Sequence, residues 1–205
     1  MKDKDFLANL KAYQPCIEAF MWAKQFDTWE NLWAECDRGD WMLWIISRTC
    51  GEKDRIVTIA CECARLALPY TKDPRVLKCI EVTEAWVRGE ATIGQVREAR
   101  RADAYAYAAA YDAAYAATDA ADAYAAAYDA AYAATAAYAA ATAADADATA
   151  ADAAAAAADA ADAADAAAYA DAAAADADAR KKTLKTCADI VRRHYPTPPQ
   201  LKEVQ

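Results

Sequence analysis

Residues 102–179 of this chain are drawn from only four residue types, Ala, Asp, Tyr and Thr. Fourteen Asp and no basic residue give the stretch a formal charge of −14. Alanine is the strongest helix former, so a helix is the default for such a composition. Asp is a weak helix former, and like charges three apart, as at Asp159, Asp162 and Asp165, repel along a helix. A free helix of this kind is weakened at neutral pH. Without Leu, Ile or Phe, its packing must rest on close backbone approach at Ala faces and on tyrosine rings filling the seams.

An internal repeat narrows the possibilities. The thirteen letters AYAAAYDAAYAAT occupy 106–118 and recur at 123–135, an offset of 17. At about 100° per residue, that step turns the pattern by about −100° on a straight helix. Tyr107, Tyr111 and Tyr115 therefore share a stripe that Tyr124, Tyr128 and Tyr132 do not continue. One rod would run about 117 Å at 1.5 Å per residue, with tyrosines all round it. Equivalent packing is easier when each unit forms its own helix of about 13 to 20 residues, folded antiparallel. Thr118, Asp119 and Asp122 can stop one helix and cap the next, and similar clusters lie at 142–149 and 176–178. Several close-packed helices are the expectation, against the single rod.

The flanks are different in kind. Residues 1–101 carry sixteen Lys/Arg against sixteen Asp/Glu and all six Trp, whereas 180–205 carry seven Lys/Arg against two acids. Arg97, Arg100 and Arg101 precede the acidic stretch, and Arg180, Lys181 and Lys182 follow it, which favours folding back so that opposite charges meet. In the first hundred residues, Asp27 to Glu30 (DTWE) has the form of a capping box. Asp73 stands before Pro74 at the first helical position, and Gly89 ends one helix before Thr92 opens another. Ile56, Ile59, Ala60, Cys63 and Ala67 follow helical spacing, as do Val76, Ile80, Thr83 and Val87. Residues 180–195 read as a basic amphipathic helix (Leu184, Cys187, Ile190, Val191) ended by Pro196, its cationic face available to the acidic tract. The chain is thus all-α, a multi-helix bundle or helical-repeat array. It divides into a Trp-rich helical region at 1–101, the tract at 102–179 and a basic C-terminal helix with a Pro-rich tail at 180–205, together one compact unit.

Several function classes drop out. The opening Met-Lys-Asp-Lys-Asp lacks the apolar core of an export signal, and the regular Asp break every apolar run of membrane-spanning length, which points to a soluble, cytoplasmic protein. Seven Cys in such a chain read as reduced and mostly buried thiols. His194 is the single histidine, so histidine-based triads and multi-His metal sites fail, and it reads as a terminal surface residue. Cys61 and Cys63 are two apart on a helix and point in different directions, which suits buried thiols better than a metal pair. Four glycines leave no phosphate-binding loop. Asp145, Asp147 and Asp152 lack the looped carbonyls of a calcium site and read as a solvated face. A non-enzyme without metal or cofactor is expected.

One cluster carries more chemistry. Arg38, Asp40, Trp41 and Trp44 fall within about two turns at a helix start, with Arg65, Glu84 and Trp86 on neighbouring predicted helices. They suit either a buried salt bridge with Trp packing or a pocket in which guanidinium and indole faces grip a planar anion or a partner side chain. The same region carries a resemblance. The series CIEAFMWAK (16–24), WAECDRGDWMLW (33–44), CECARLALPY (61–70) and IEVTEAWVRGEAT (80–92), then an alanine-rich tract, then LKTCADIVRRHYP (184–196), resembles the alanine-rich immunity proteins of bacterial toxin–immunity loci, a family also encoded by phages. In that family the tract carries Trp and Arg beside Ala; here Tyr and Asp take those places. The resemblance implies an all-α protein that neutralises something, and assigns no catalytic residue.

The leading expectation is a binding protein that neutralises a toxin or defence effector, a basic protein surface being the favoured partner of so acidic a chain. The alternatives are sequestration of a small anionic nucleotide by Arg38, Trp41 and Arg65, and mimicry of DNA by rows of Asp, with no direct nucleic-acid binding expected. Ice binding ranks last, because Thr118, Thr135, Thr142 and Thr149 keep no sustained 11-residue period. A scaffold role and a homo-oligomer stay open.

Overall fold

The computed structural model describes residues 5–50, 52–116, 134, 137, 140, 141 and 177–201. Among them are eight α-helices and no strand: α1 (Asp5–Ala12), α2 (Ile17–Ala23), α3 (Trp29–Glu35), α4 (Gly39–Thr49), α5 (Lys53–Arg65), α6 (Pro74–Val87), α7 (Ile93–Ala116) and α8 (Ala177–His194). The all-α expectation holds. The boundaries follow from local chemistry. Asp73 caps α6 by accepting from the Arg75 N–H at 2.9 Å. Thr92 and Gln95 form a reciprocal capping box for α7, with the Gln95 N–H donating to Thr92 Oγ1 at 3.3 Å and the Thr92 N–H to Gln95 Oε1 at 2.7 Å. Gly89 ends α6 with φ +74°, a conformation that L side chains rarely adopt. The cap of α3 differs from the DTWE reading by one residue. Thr28, not Asp27, is in extended conformation and accepts from the Asn31 N–H at 3.1 Å.

The helices pack mainly as α6 on α7, α8 on α4 and α5 on α6. Every apolar position expected for α5 is buried (Ile56, Ile59, Ala60, Cys63, with Ala67 just beyond), as are Val76, Ile80 and Thr83 of α6. On α8, Leu184, Cys187, Ile190 and Val191 face inward. Each large aliphatic side chain buried in this way contributes about 1.5–3 kcal/mol. The buried cluster draws on all three stretches of sequence, from Phe6 through Ala106 and Ala137 to Val191.

The basic C-terminal helix finds its described partners in the N-terminal half. Arg192 donates to the carbonyls of Trp33 (3.2 Å) and Cys36 (2.6 Å), and Arg193 to Glu62 (2.8 Å). His194 is half-buried against Glu62 at 2.8 Å, so it is more than a terminal surface residue. Trp33 and Trp29 donate their indole N–H groups to the carbonyls of Tyr195 (3.0 Å) and Pro199 (2.8 Å), strapping the proline-rich tail across α3.

The single-rod alternative for the acidic tract is excluded. Asp103 of α7 lies close enough to Cys79 of α6 to act on its thiol electrostatically, and Cys79 also donates to the carbonyl of Ala137 at 3.6 Å. On a straight helix those two tract residues would stand about 51 Å apart, so the chain reverses between them. Ala134, Ala137 and Ala141 (spaced by three and four) are 0–1% exposed, with Ala140 at 0% and Ala106 at 3%. Alanine does the packing here. Tyr105 and Tyr107 are 70% and 43% exposed, contrary to the expected seam role of Tyr107, and the buried position beside them is Ala106. The expected caps at 118–122 and 142–149, Tyr111 and Tyr115 as side chains, and Asp145, Asp147 and Asp152 lie outside what is described.

Candidate functional site

Gly39 begins α4 where α8 crosses it. A Cβ at Gly39 would lie 2.4 Å from Cys187 Cβ and 2.7 Å from two backbone atoms of α8, so only glycine admits this approach. The crossing carries Leu184 and Lys181, about one and two turns before Cys187, to the side of residues 37–41. A cleft of about 440 Å³ results, lined by Glu18 and Trp22 of α2, Asp37, Arg38 and Trp41, and Lys181 and Leu184 of α8.

Arg38 is held in this cleft by three kinds of contact. Its Nε and Nη2 donate to the two Asp40 oxygens at 2.9 and 2.5 Å, a bidentate pair. Its Nη1 donates to Glu18 at 3.4 Å. Its guanidinium lies 4.1 Å from the centre of the Trp41 ring, a cation–π contact. Trp41 in turn meets Trp22 at 5.8 Å between centroids, and Trp22 meets Phe26 at 4.5 Å. The guanidinium plane is therefore fixed before any partner arrives. The apolar side of this wall closes a cavity of only about 40 Å³ among Trp22, Trp33, Trp41 and Trp44, room for about one water rather than a ligand. Trp44 lines that cavity and carries Arg48 over its ring at 5.2 Å.

The other three expected residues sit elsewhere. Arg65 donates from Nε and Nη2 to Glu84 at 2.6 and 2.7 Å, joining α5 to α6. Their hydrogen bond raises the Arg65 pKa above its ordinary value. Trp86, near the end of α6, holds Lys53 at the start of α5 at 5.3 Å. These contacts tie both ends of α5 to the last turn of α6 and do not line the cleft. The seven expected residues therefore divide, with Arg38, Asp40 and Trp41 at the cleft, Trp44 beneath it, and Arg65, Glu84 and Trp86 in the α5–α6 clasp.

The cleft also has members the sequence did not suggest as site residues: Glu18, Trp22, Asp37, Lys181 and Leu184. Beside it, Ile17 and Met21 of α2 are 84% and 55% exposed, one turn apart on the same helix as Glu18 and Trp22. Their signal in the sequence is an apolar pair at i and i+4 on a helix whose Ala23 is buried, but nothing there tells which face is covered. Among the described residues, no group of three or more His, Cys, Asp or Glu could hold a metal ion, and no helix is long and apolar enough to cross a membrane.

Compared with known proteins, the chain matches no family model, no curated protein and no solved structure.

Proposed function

We propose that this protein is a non-enzymatic binding protein that neutralises a toxin or defence effector, as its likeness to alanine-rich immunity proteins implies. In this reading the effector docks on the α2–α4–α8 face. The supporting observation is the cleft, where a pre-oriented Arg38 on Trp41 stands beside Trp22 and the exposed Ile17 and Met21. Aromatic and Arg anchors beside exposed apolar side chains are what protein interfaces concentrate at their centres. The cleft is also large enough for a small ligand, since such sites begin at about 300 Å³. Its charges argue against an anionic nucleotide: Glu18 and Asp37 offset Arg38 and Lys181, and most of the Arg38 donors already serve Asp40 and Glu18.

The test is capture of the effector by the tagged chain in its source cell, followed by native mass spectrometry and co-expression with the captured protein. Met21→Glu and Lys181→Glu change exposed positions and are expected to weaken the complex by about thirtyfold each or more, the scale of interface hot spots. Leu77→Glu, on exposed α6 surface, is the control. The reading fails if the α2 and α8 variants bind and protect as well as the unmodified chain. Capture of a nucleotide instead of a protein selects sequestration. Cleft docking further requires a dissociation rate that varies little with salt, whereas binding driven by the acidic tract would weaken steeply.

A further inference from the structure

Asp103 occupies a position meant for an apolar residue. Along α7, Val96, Ala99, Asp103 and Ala106 are spaced by three and four residues and so share one stripe, the face turned to α6. Val96 and Ala106 are buried, Ala99 is partly buried, and Asp103 between them is 0% exposed. Among the described residues, neither carboxyl oxygen of Asp103 has a hydrogen-bond partner.

The surrounding groups offer an ionised Asp103 little relief. At the start of α6 stand Asp73 and Arg75, but Arg75 is engaged with Asp73 through contacts of 2.6 to 3.2 Å. Farther along α6 is the buried, neutral Cys79 thiol, on which Arg100 of α7 acts electrostatically. Ala137, whose carbonyl accepts from the same Cys79 thiol, brings no charge. A carboxylate in such a place costs several kcal/mol, and the group avoids that cost by keeping its proton. Burial, reinforced by the Asp73 charge and opposed by Arg75, pushes the Asp103 carboxyl up to about 8.

We propose that Asp103 makes the seam between α6 and α7 a proton-controlled latch on the entry to the alanine tract, closed over a neutral carboxyl and loosened when that carboxyl ionises. The sign follows from linkage. In an opened seam the carboxyl faces water and titrates near 3.9, the ordinary Asp value. The folded value is raised, so the latch's full stability is present below about pH 4 and is lost as pH rises toward 8. Across that window each opening releases one proton, so the opening constant grows about tenfold per pH unit. Asp103→Asn keeps the shape, cannot ionise, and removes this dependence.

Limited trypsin digestion at Arg100 and Arg101, inside the same helix, reads opening directly when protease is dilute. Cleavage rates of the full chain and of Asp103→Asn are compared at each pH, so that trypsin's own pH dependence cancels. The ratio is expected to rise about thirtyfold between pH 6.0 and 7.5. A ratio that stays flat overturns the latch. A second measurement needs no variant: the Asp103 carboxyl carbon, followed by NMR in the unmodified chain, should titrate near pH 8. A midpoint near pH 4 overturns the proposal even if Asp103→Asn fails to fold.

Discussion

Gly39→Ala is the most informative single change to this fold. The added methyl would stand 2.4 Å from Cys187 Cβ, 2.7 Å from the Ala188 nitrogen and 2.7 Å from the Cys187 carbonyl carbon. Non-bonded carbons settle at about 3.5–4.0 Å, so α4 and α8 must separate by about 1 Å or more. Two of the three obstructing atoms are backbone, and the third is a Cβ, so no rotamer change gives relief. Overpacking costs typically 1–3 kcal/mol, and the rigidity of these neighbours puts this case near the top, about 3 kcal/mol. The better helix propensity of alanine offsets at most about 1 kcal/mol, and less at the first position of a helix. Urea unfolding followed by tryptophan fluorescence is the natural assay, since Trp33, Trp41 and Trp44 lie beside the crossing. With a slope of about 1–3 kcal/mol per M, the midpoint should fall by about 1 to 3 M. Adding Cys187→Ala should restore nothing, because the obstructing Cβ stays. A Gly39→Ala protein within about 0.5 kcal/mol of the parent would refute the close crossing, and with it the placement of Lys181 and Leu184 in the cleft.

Two more predictions bear on the packing. Ala137→Leu, at a fully buried position over Cys79, should cost about 1–3 kcal/mol of stability in the same urea assay, whereas on a solvated helix it would be neutral. Under native conditions near pH 8, a chromogenic disulfide reagent should modify Cys16 at once and the half-buried Cys50 more slowly. The other five thiols should wait for denaturant, burial having pushed Cys36 and Cys61 up to about 12.

Local rules read the elements well because each helix here declares its own ends. Asp73 before Pro74, Thr92 with Gln95 and Gly89 are short-range signals, and the structure uses all of them. Periodicity likewise identified the buried faces of α5, α6 and α8. The site was legible only in part. Arg38, Asp40 and Trp41 are close in sequence, so their contact could be read from spacing. Arg65 and Glu84 are opposite in charge, but nothing in the residues says that they clasp α5 to α6 rather than face Arg38. The α8 wall of the cleft depends on a glycine–cysteine contact between Gly39 and Cys187, and the RGDW motif gives no hint of which helix presses on that glycine. Tyr107 misled for a related reason. Its place on a helix was legible, but composition does not tell which face of that helix turns inward, and the structure buries Ala106 and leaves Tyr107 half-exposed.

The acidic tract and the cleft place different demands on a partner. The −14 of the tract acts at long range, draws cations and fades over a Debye length of about 8 Å in physiological salt. The cleft is lined by Glu18, Asp37, Arg38 and Lys181, with Asp40 paired to Arg38, so its charges nearly balance; what it offers a partner is shape, indole faces and the fixed Arg38 plane. In the proposed function, steering and holding therefore belong to different parts of one chain: the tract raises the rate of encounter with a basic effector, and the α2–α4–α8 face sets how long it stays. Asp103 belongs to neither part. Among the tract acids whose side chains are described, it alone is buried, and it lies in the seam between α6 and α7, away from the surface that would meet a partner.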